Sequence, residues 1–268
     1  MPKISAVIIT YNEEEKIERC IRSVQAVADE VVVVDSNSTD RTGEICKSLG
    51  VRFVLQPFLG YREQKNFATS LAEYDYILSL DADEALSEEL KQSILEVKND
   101  WKSDGYSFNR LNNYCGQWIY HCNWYPDRKI RLFDRRKGAW GGLNLHELVK
   151  MDQSATASFL KGDLLHWVHT SVDEHIEKAN RFSTIGAREY FNAGKKATFL
   201  SAIHHFFWRF FKSYIIKGGF RDGYYGFVIC TISSYTTFLK YMKLRLLIIK
   251  EKEKQQGNKK ETKVNIAS

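Results

Sequence analysis

The sequence Tyr76-Ile77-Leu78-Ser79-Leu80-Asp81-Ala82-Asp83-Glu84 is the stretch from which we interpret the rest of the chain. Its mainly apolar first half predicts a buried strand of an α/β sheet, and three acids follow at the carboxyl end of that strand. Side chains two positions apart on an extended chain point the same way, so Asp81 and Asp83 can converge on one point. Ligands of open α/β sheets bind at this edge.

The two aspartates predict a divalent cation. Carboxylates held close together raise each other's pKa unless a positive charge lies between them. Mg²⁺ or Mn²⁺ prefers oxygen ligands and is often held by one or two carboxylates together with substrate phosphates and water. The pair therefore favours a phosphorylated substrate. The alternative is an acidic turn before the next helix, which we predict from Leu86 to Lys98.

Length and composition allow one large core, or one core with an appendage. The chain has 268 residues, of which 44% are hydrophobic and 13% aromatic. From Arg209 onward basic residues far outnumber acids, which indicates an anionic surface as the partner of this end. The five cysteines form no Cys-x-x-Cys pair, which argues against a zinc site or a disulfide framework. The first residues do not form a secretory signal, so we expect a cytoplasmic protein.

Strands and helices alternate over the first hundred residues. Predicted strands at Ile4–Thr10, Val31–Val34 and Arg52–Leu55 precede the strand that ends in the acids, and helical patterns separate them. This alternation predicts a mostly parallel, doubly wound sheet. Neither Gly-x-Gly-x-x-Gly nor Gly-x-x-x-x-Gly-Lys occurs in it. That absence argues against a dinucleotide enzyme or a P-loop NTPase and leaves a metal to hold the phosphates.

Four ordered motifs resemble the motif series of family 2 glycosyltransferases. They are Val7-Ile8-Ile9-Thr10-Tyr11-Asn12-Glu13, Val32-Val33-Val34-Asp35-Ser36-Asn37-Ser38-Thr39-Asp40-Arg41-Thr42, Gln64-Lys65-Asn66 and Leu80-Asp81-Ala82-Asp83-Glu84. The resemblance implies an inverting enzyme of the GT-A fold that uses a nucleotide-diphospho sugar. It covers roughly residues 4 to 170 and is similar above all to the branch that builds the lipopolysaccharide core.

The resemblance implies a role for each motif. Asp81 would reach the ribose or the metal, and Asp83 would bind the metal directly. From the residues alone, Asp35 is well placed to accept a hydrogen bond from a base or a ribose hydroxyl, whereas Gln64-Lys65-Asn66 is more typical of a solvated helix face. The donor-binding residues implied by the resemblance are Thr10, Tyr11, Asn12, Glu13, Asp35, Arg62, Lys65 and Asp81.

Glu147 is the predicted catalytic base. An inverting transfer needs one carboxylate to take the proton of the acceptor hydroxyl. In the wider family an acid of a Glu-Asp pair after the metal motif has this role, whereas here His146-Glu147 stands in its place, as in the lipopolysaccharide branch that the chain resembles. The alternative is a structural glutamate.

His166 is predicted to be a third metal ligand or a contact to the leaving diphosphate. It follows Phe159–Leu165, a segment that predicts a strand only weakly. A structural histidine at a strand end is the alternative. Aromatic residues with polar tips between Tyr106 and Phe133 suit the faces of an acceptor sugar, or equally a core.

The region after Ser171 is helical in pattern, with predicted helices at Val172–Asn192 and Ala197–Lys217. The segment 218–227 resembles a loop of the same branch. The uncharged run Phe227–Leu239 is too short to predict a spanning helix, which needs about 20 apolar residues. Basic and aromatic residues predict helices that lie in the membrane interface. A helical subdomain packed on the catalytic core and a homo-oligomer contact are the alternatives.

We therefore predict three regions. They are a GT-A catalytic domain (1–170, with a nucleotide-binding half 1–100 and an acceptor half 101–170), a helical membrane-associating region (171–250) and a disordered basic tail (251–268).

The predicted activity is that of a bacterial, metal-dependent inverting glycosyltransferase that uses Mn²⁺ or Mg²⁺. The first guess for its donor is UDP-glucose, and its acceptor would be a lipopolysaccharide-core or other lipid-linked saccharide at the inner face of the cytoplasmic membrane; no nucleic acid is expected to bind. One alternative is a non-catalytic nucleotide-sugar-binding membrane module, which the four acids Asp35, Asp81, Asp83 and Glu147 argue against. The other is a nucleotidyltransferase, whose glycine-rich loop is missing from residues 8 to 20.

Overall fold

The computed structural model describes residues 1–142 and 147–266, with side chains as far as Gln255. The first hundred residues alternate between strands and helices, as the pattern predicts. Their elements are β1 (Ile4–Thr10), α1 (Ile17–Gln25), β2 (Glu30–Asp35), α2 (Thr42–Ser48), β3 (Arg52–Leu55), α3 (Tyr61–Leu71), β4 (Tyr76–Asp81), β5 (Glu84–Leu86) and α4 (Glu88–Asn99).

Strands dominate the next part of the chain. They are β6 (Gly105–Tyr114), β7 (Gln117–Ile119), β8 (Asp127–Asp134), β9 (Gly138–Gly141), β10 (Leu148–Met151) and β11 (Ala157–His169). β11 therefore includes the segment that the sequence predicts only weakly. β9 and β10 form a separate antiparallel pair.

The main sheet has a parallel half and an antiparallel half. Its strand order is β3-β2-β1-β4-β8-β6-β11-β5. β1 pairs in parallel with β2 and β4, and β2 with β3. β8 runs antiparallel to β4 and β6, and β11 runs antiparallel to β5. The predicted α/β fold is confirmed, and its parallel, doubly wound part is limited to the first four strands.

β1 shows why the sheet is covered on both faces. Ile4 and Ile8 point to one face, where they pack in a buried cluster with Ile21 of α1. Val7 points to the other face and packs with Ala68 of α3. A parallel strand buried on both sides requires this continuous apolar sequence.

The chain divides into two compact units. The first contains Met1–Asn113 and Tyr125–Val168, and the second contains Tyr114–Trp124 and His169–Ser268. The region limits given above from the sequence stay predictions. α7 extends to Ile266, so most of the range 251–268, predicted to be disordered, has helical backbone.

The second unit is largely helical. α5 has the predicted bounds, and the other predicted helix is divided between α6 and a π-helical segment. No helix in the described part of the chain is long and apolar enough to cross a membrane. The elements are α5 (Val172–Asn192), α6 (Phe199–Phe210), the π-helical segment (Phe211–Ile216), a 3₁₀ turn (Gly219–Asp222) and α7 (Gly223–Ile266).

A buried aromatic cluster lies in this second unit. The Tyr114 hydroxyl is 3.1 Å from Nδ1 of His175, and the His175 ring stacks on that of His169 with centroids 4.5 Å apart. Burial lowers the pKa of His175 to about 4, and the charge of Lys178 acts in the same direction. His175 is therefore neutral near pH 7.

Candidate active site

The strand register brings the predicted polar positions to one edge of the sheet. Thr10 at the end of β1 lies opposite Asp35 at the end of β2. On the other side of β1, Ile9 lies opposite Asp81 at the end of β4. Because the carboxyl ends of parallel strands share an edge, the three predicted motifs meet there.

Asn12 and Asp35 join the loops after β1 and β2 through Ser38. The backbone nitrogen of Asn12 donates to Oγ of Ser38 at 2.7 Å, and the side-chain Oδ1 of Asn12 accepts from the backbone amide of Thr39 at 2.8 Å. Asp35 accepts from the backbone amide of Ser38 at 2.8 Å and from its hydroxyl. Asn12 has φ +53°, a conformation that asparagine adopts more readily than most residues. These bonds order the loops around the sheet edge.

The other predicted residues of the first motif differ in exposure. Thr10 is buried, and its Oγ1 has no hydrogen-bond partner within the described residues. Tyr11 is 59% exposed, so its ring is available to a ligand. Glu13 pairs with Lys16 at 3.0 Å, and its amide donates to Thr42 at 2.9 Å.

Lys65 joins two of the predicted acids. Its ammonium lies 2.9 Å from Oδ1 of Asp81 and 3.3 Å from Oε1 of Glu147. It also lies 4.4 Å from the ring centroid of Trp140. Lys65 is 2% exposed and Gln64 is fully buried, so the alternative of a solvated helix face is wrong.

Arg131 is a second cation at Asp81, and the sequence did not indicate it. Its Nη2 lies 3.3 Å from Oδ2 of Asp81 and 3.1 Å from Oε1 of Glu84. The other oxygen of Glu84 accepts from the Asp81 amide at 3.0 Å. Burial opposes ionisation of Asp81, but the charges of Lys65 and Arg131 outweigh it and hold the pKa of this carboxyl well below its usual range. Asp81 is therefore a carboxylate between two cations.

Asp83 faces His166 rather than these cations. Oδ2 of Asp83 lies 3.4 Å from Nε2 of His166. Burial raises the pKa of Asp83, but the charge and hydrogen bond of His166 outweigh it and lower that pKa overall. Nδ1 of His166 lies 2.6 Å from Oδ1 of Asn112. Because an amide oxygen only accepts, Nδ1 carries a proton, and Nε2 is the ring nitrogen that faces Asp83.

The backbone also fixes this pair. In the antiparallel pairing of β5 and β11, His166 lies opposite Glu84. The Trp167 amide donates to the carbonyl of Asp83 at 3.0 Å. Trp167 of β11 also contacts α1. The Arg19 guanidinium lies 3.3 Å from the ring centroid of Trp167, a contact that the sequence did not indicate.

Glu147 lies directly before β10. Its Oε2 is buried and has no hydrogen-bond partner in the part of the chain that the structure describes. Asn66 fixes the neighbouring strand β9, since its side chain exchanges two hydrogen bonds with the backbone of Trp140, at 3.0 and 3.1 Å. His146, the other half of the predicted pair, lies outside the described residues.

Arg62 lies at the surface, where its guanidinium pairs with Glu63 and lies 3.4 Å from the carbonyl of Gly142. The structure therefore does not bring Arg62 into the network of Lys65. Among residues 1–142 and 147–266, no three His, Cys, Asp or Glu side chains are arranged to hold a metal ion. Of the three predicted ligands, Asp83 and His166 are in contact and Asp81 is paired elsewhere.

Comparison with known proteins gives the family. The model of "Glycosyl transferase family 2" matches residues 5–150, more than half of the chain. The chain belongs to glycosyl transferase family 2. The predicted family and enzyme class are thereby confirmed, and this family 2 glycosyltransferase carries its network of Asp81, Lys65 and Glu147 inside the matched range.

Relatives of this family 2 glycosyltransferase match it over most of its length. An uncharacterized glycosyltransferase of Rickettsia typhi is 34% identical over 94% of this chain and 90% of its own length. The lipopolysaccharide core biosynthesis glycosyltransferase LpsC of Rhizobium meliloti is 31% identical over 91% of this chain and 93% of its own length. Among solved structures, S. aureus TarS 1–349 in complex with UDP is 18% identical, with a TM-score of 0.43, over 81% of this chain and 74% of that chain.

Proposed function

We propose that this enzyme transfers a sugar, with inversion, from a nucleotide-diphospho sugar to a lipopolysaccharide-core or other lipid-linked saccharide. The observation that carries the proposal is the position of Lys65 between Asp81 and Glu147, which joins the predicted donor side to the predicted base. The similarity to LpsC supports the acceptor class. UDP-glucose is the first donor to test, on the resemblance described above.

The donor would lie along the sheet edge. The nucleoside would be received at the ends of β1 and β2 and in the loop after β1. The residues assigned to it there are Thr10, Tyr11, Asn12, Glu13 and Asp35. Asp81 already has two cationic partners, so we assign it to the ribose rather than to the metal. Arg62 and Lys65 are the cations that we assign to the base or diphosphate.

A divalent cation fits the pair formed by Asp83 and His166. A carboxylate oxygen and an imidazole nitrogen face each other at 3.4 Å, and a divalent cation held by both would take the place of a proton on Nε2. Asn112 fixes the imidazole tautomer that such a ligand needs. Mn²⁺ or Mg²⁺ bound there would neutralise the charge that develops on the leaving diphosphate.

Glu147 is the proposed base. Its carboxylate, paired with Lys65, takes the proton of the acceptor hydroxyl while that oxygen attacks the anomeric carbon. The bond to the diphosphate breaks on the opposite face of the sugar, so the configuration inverts. Lys65 holds the carboxylate in place through their 3.3 Å ion pair.

A lipid-linked acceptor places the enzyme at a membrane. We propose that it works as a peripheral protein on the inner face of the cytoplasmic membrane, where nucleotide sugars are available. The basic excess after Arg209 supports this location. A homo-oligomer stays an open prediction.

Calorimetric titration tests the donor and cation sites together. UDP is titrated into the protein with Mn²⁺ or with chelator, and then into Asp83→Asn. We expect binding that requires Mn²⁺ and is weakened about tenfold or more by Asp83→Asn, since a neutral amide is a poorer ligand than a carboxylate. Asp100→Asn, which changes an exposed aspartate, is the matched control and should bind as the parent does.

Other outcomes separate the alternatives. Binding that is the same with chelator and in Asp83→Asn would contradict the cation site. Absence of UDP binding would exclude a UDP donor, and GDP, CMP and dTDP would then be titrated. If a nucleotide binds but its sugar is never released, the non-catalytic module becomes the better description.

A further inference from the structure

The outward face of α6 and the following π-helical segment is apolar. Five of its side chains lie at helical spacing and are between 48% and 76% exposed: Leu200, Phe207, Trp208, Phe211 and Ile215. We call these five residues the α6 outer face. The buried positions of the same helical stretch, Ala202 and Ser213, are small. A helix on a water-exposed surface shows the opposite pattern, with large apolar residues inside and polar residues outside.

The chain around this face is strongly basic. Between residues 194 and 250 there are ten lysines and arginines, and the one acid is Asp222. Asp222 is buried, where its carboxylate accepts from the backbone amides of Tyr120 and His121. Lys212, Lys217 and Arg221 are exposed, and no carboxylate in the described part of the chain pairs with them. The surface therefore combines exposed aromatic rings with uncompensated positive charge.

We propose that the α6 outer face inserts into the interface of an anionic phospholipid bilayer, with Lys212, Lys217 and Arg221 on the lipid phosphates. Trp and Phe side chains lie favourably at the depth of lipid head groups, and nearby cations add attraction to anionic lipid. The charge complementarity favours a lipid surface over a second copy of this chain, because two copies would bring like charges together. This surface rests on the membrane location proposed above and is independent of the donor, cation and base assignments.

Vesicle sedimentation tests the proposal on the full chain. Vesicles of phosphatidylcholine alone are compared with vesicles that contain about one third phosphatidylglycerol. We expect binding to the anionic vesicles that weakens as salt is raised, because salt screens exposed charges. Trp208→Ser with Phe211→Ser should weaken this binding about tenfold or more, since two aromatic side chains no longer leave water. Ile176→Ser with Phe182→Ser, which removes comparably exposed apolar residues from α5, is the matched control and should bind as the parent does.

A second measurement locates the insertion. Lipids with brominated acyl chains should quench part of the tryptophan fluorescence, and Trp208→Phe should lose that quenched part while it keeps most of the binding. UDP titration of the same variants should give unchanged affinity, so that failure of this proposal is distinguished from failure of the donor site.

Several results would overturn the proposal. One is the absence of binding to anionic vesicles. Another is equal binding by Trp208→Ser with Phe211→Ser. A third is self-association of the parent chain in light scattering that this double variant abolishes without any lipid binding, which would assign the face to a second copy.

Discussion

Lys65 is the residue that contacts both Asp81 and Glu147 in the site. A buried ammonium within 3.3 Å of two carboxylates attracts both of them and fixes their separation. The Trp140 ring adds a face on which the ammonium rests. The position of Glu147 therefore depends on a side chain from α3, more than 80 residues earlier in the chain.

Glu147→Gln tests the base without changing the size of the side chain. We expect release of sugar from the donor to fall by about 10² to 10⁴, because an amide cannot take the proton of the attacking hydroxyl. UDP affinity should stay unchanged, and this is measured by calorimetry on the same sample. Glu88→Gln, at an exposed glutamate of α4, is the control. Equal turnover by Glu147→Gln and the parent would show that Glu147 is structural.

The acids of the site could be predicted from the sequence, and most of their partners could not. Asp35 and Asp81 directly follow apolar runs, and Asp83 comes two positions after Asp81, which is a local signal. Arg131 lies inside a strand, and its partner Asp81 is 50 residues away, so no local pattern joins them. Asn112 likewise follows no motif. The one available signal for Arg131 is an arginine between the apolar residues Ile130 and Leu132.

At the scale of elements, the contact of β11 with α4 depends on Gly162. This glycine has φ +88°, and a Cβ built there would lie 2.3 Å from the backbone nitrogen of Leu90. Ser87, the cap of α4, accepts from the amides of Leu90 and Asp163 and so joins the two elements at the same place. Backbone cannot move aside as the end of a side chain can.

Gly162→Ala should therefore lower the free energy of unfolding by about 2 kcal/mol or more, from left-handed strain together with the backbone clash. Urea denaturation measures the change. Gly50→Ala is the matched control, because Gly50 also has positive φ but open space around it, and strain alone should cost about 1 kcal/mol. If both variants lose the same free energy of unfolding, the backbones of β11 and α4 can move apart to admit a Cβ without further cost.

The elements themselves were predictable where their pattern is local. β3 and α5 have the predicted bounds, since an apolar run and a helical period are visible in a short window. The antiparallel half of the sheet was not predictable, because the pairing of β4 with β8 joins Leu78 to Leu132 across many residues. The β5 strand was also missed, since three residues carry no periodicity.

For the whole molecule, His175 predicts how stability depends on pH. Its pKa is about 4 in the folded chain and near 6.5 when unfolded, so the unfolded chain binds more protons between these values. Stability therefore falls as pH decreases from about 6.5 to 4, by at most about 3 kcal/mol from this group. His175→Gln should flatten this part of the profile in urea denaturation at several pH values. An unchanged slope would assign the dependence to other groups.

Because β5 and β11 lie far apart in the sequence, the residues that meet between them are synthesised at different times. Asp83 is synthesised directly after the first four strands, but His166 is added only when most of β11 has been synthesised. At bacterial and eukaryotic elongation rates this delay is roughly 4 to 17 seconds. During that interval the nascent chain holds Asp83 without the histidine that faces it and without the Trp167 amide that binds its carbonyl. The first half of the sheet can fold early, but the pair proposed to hold the cation is completed late in translation.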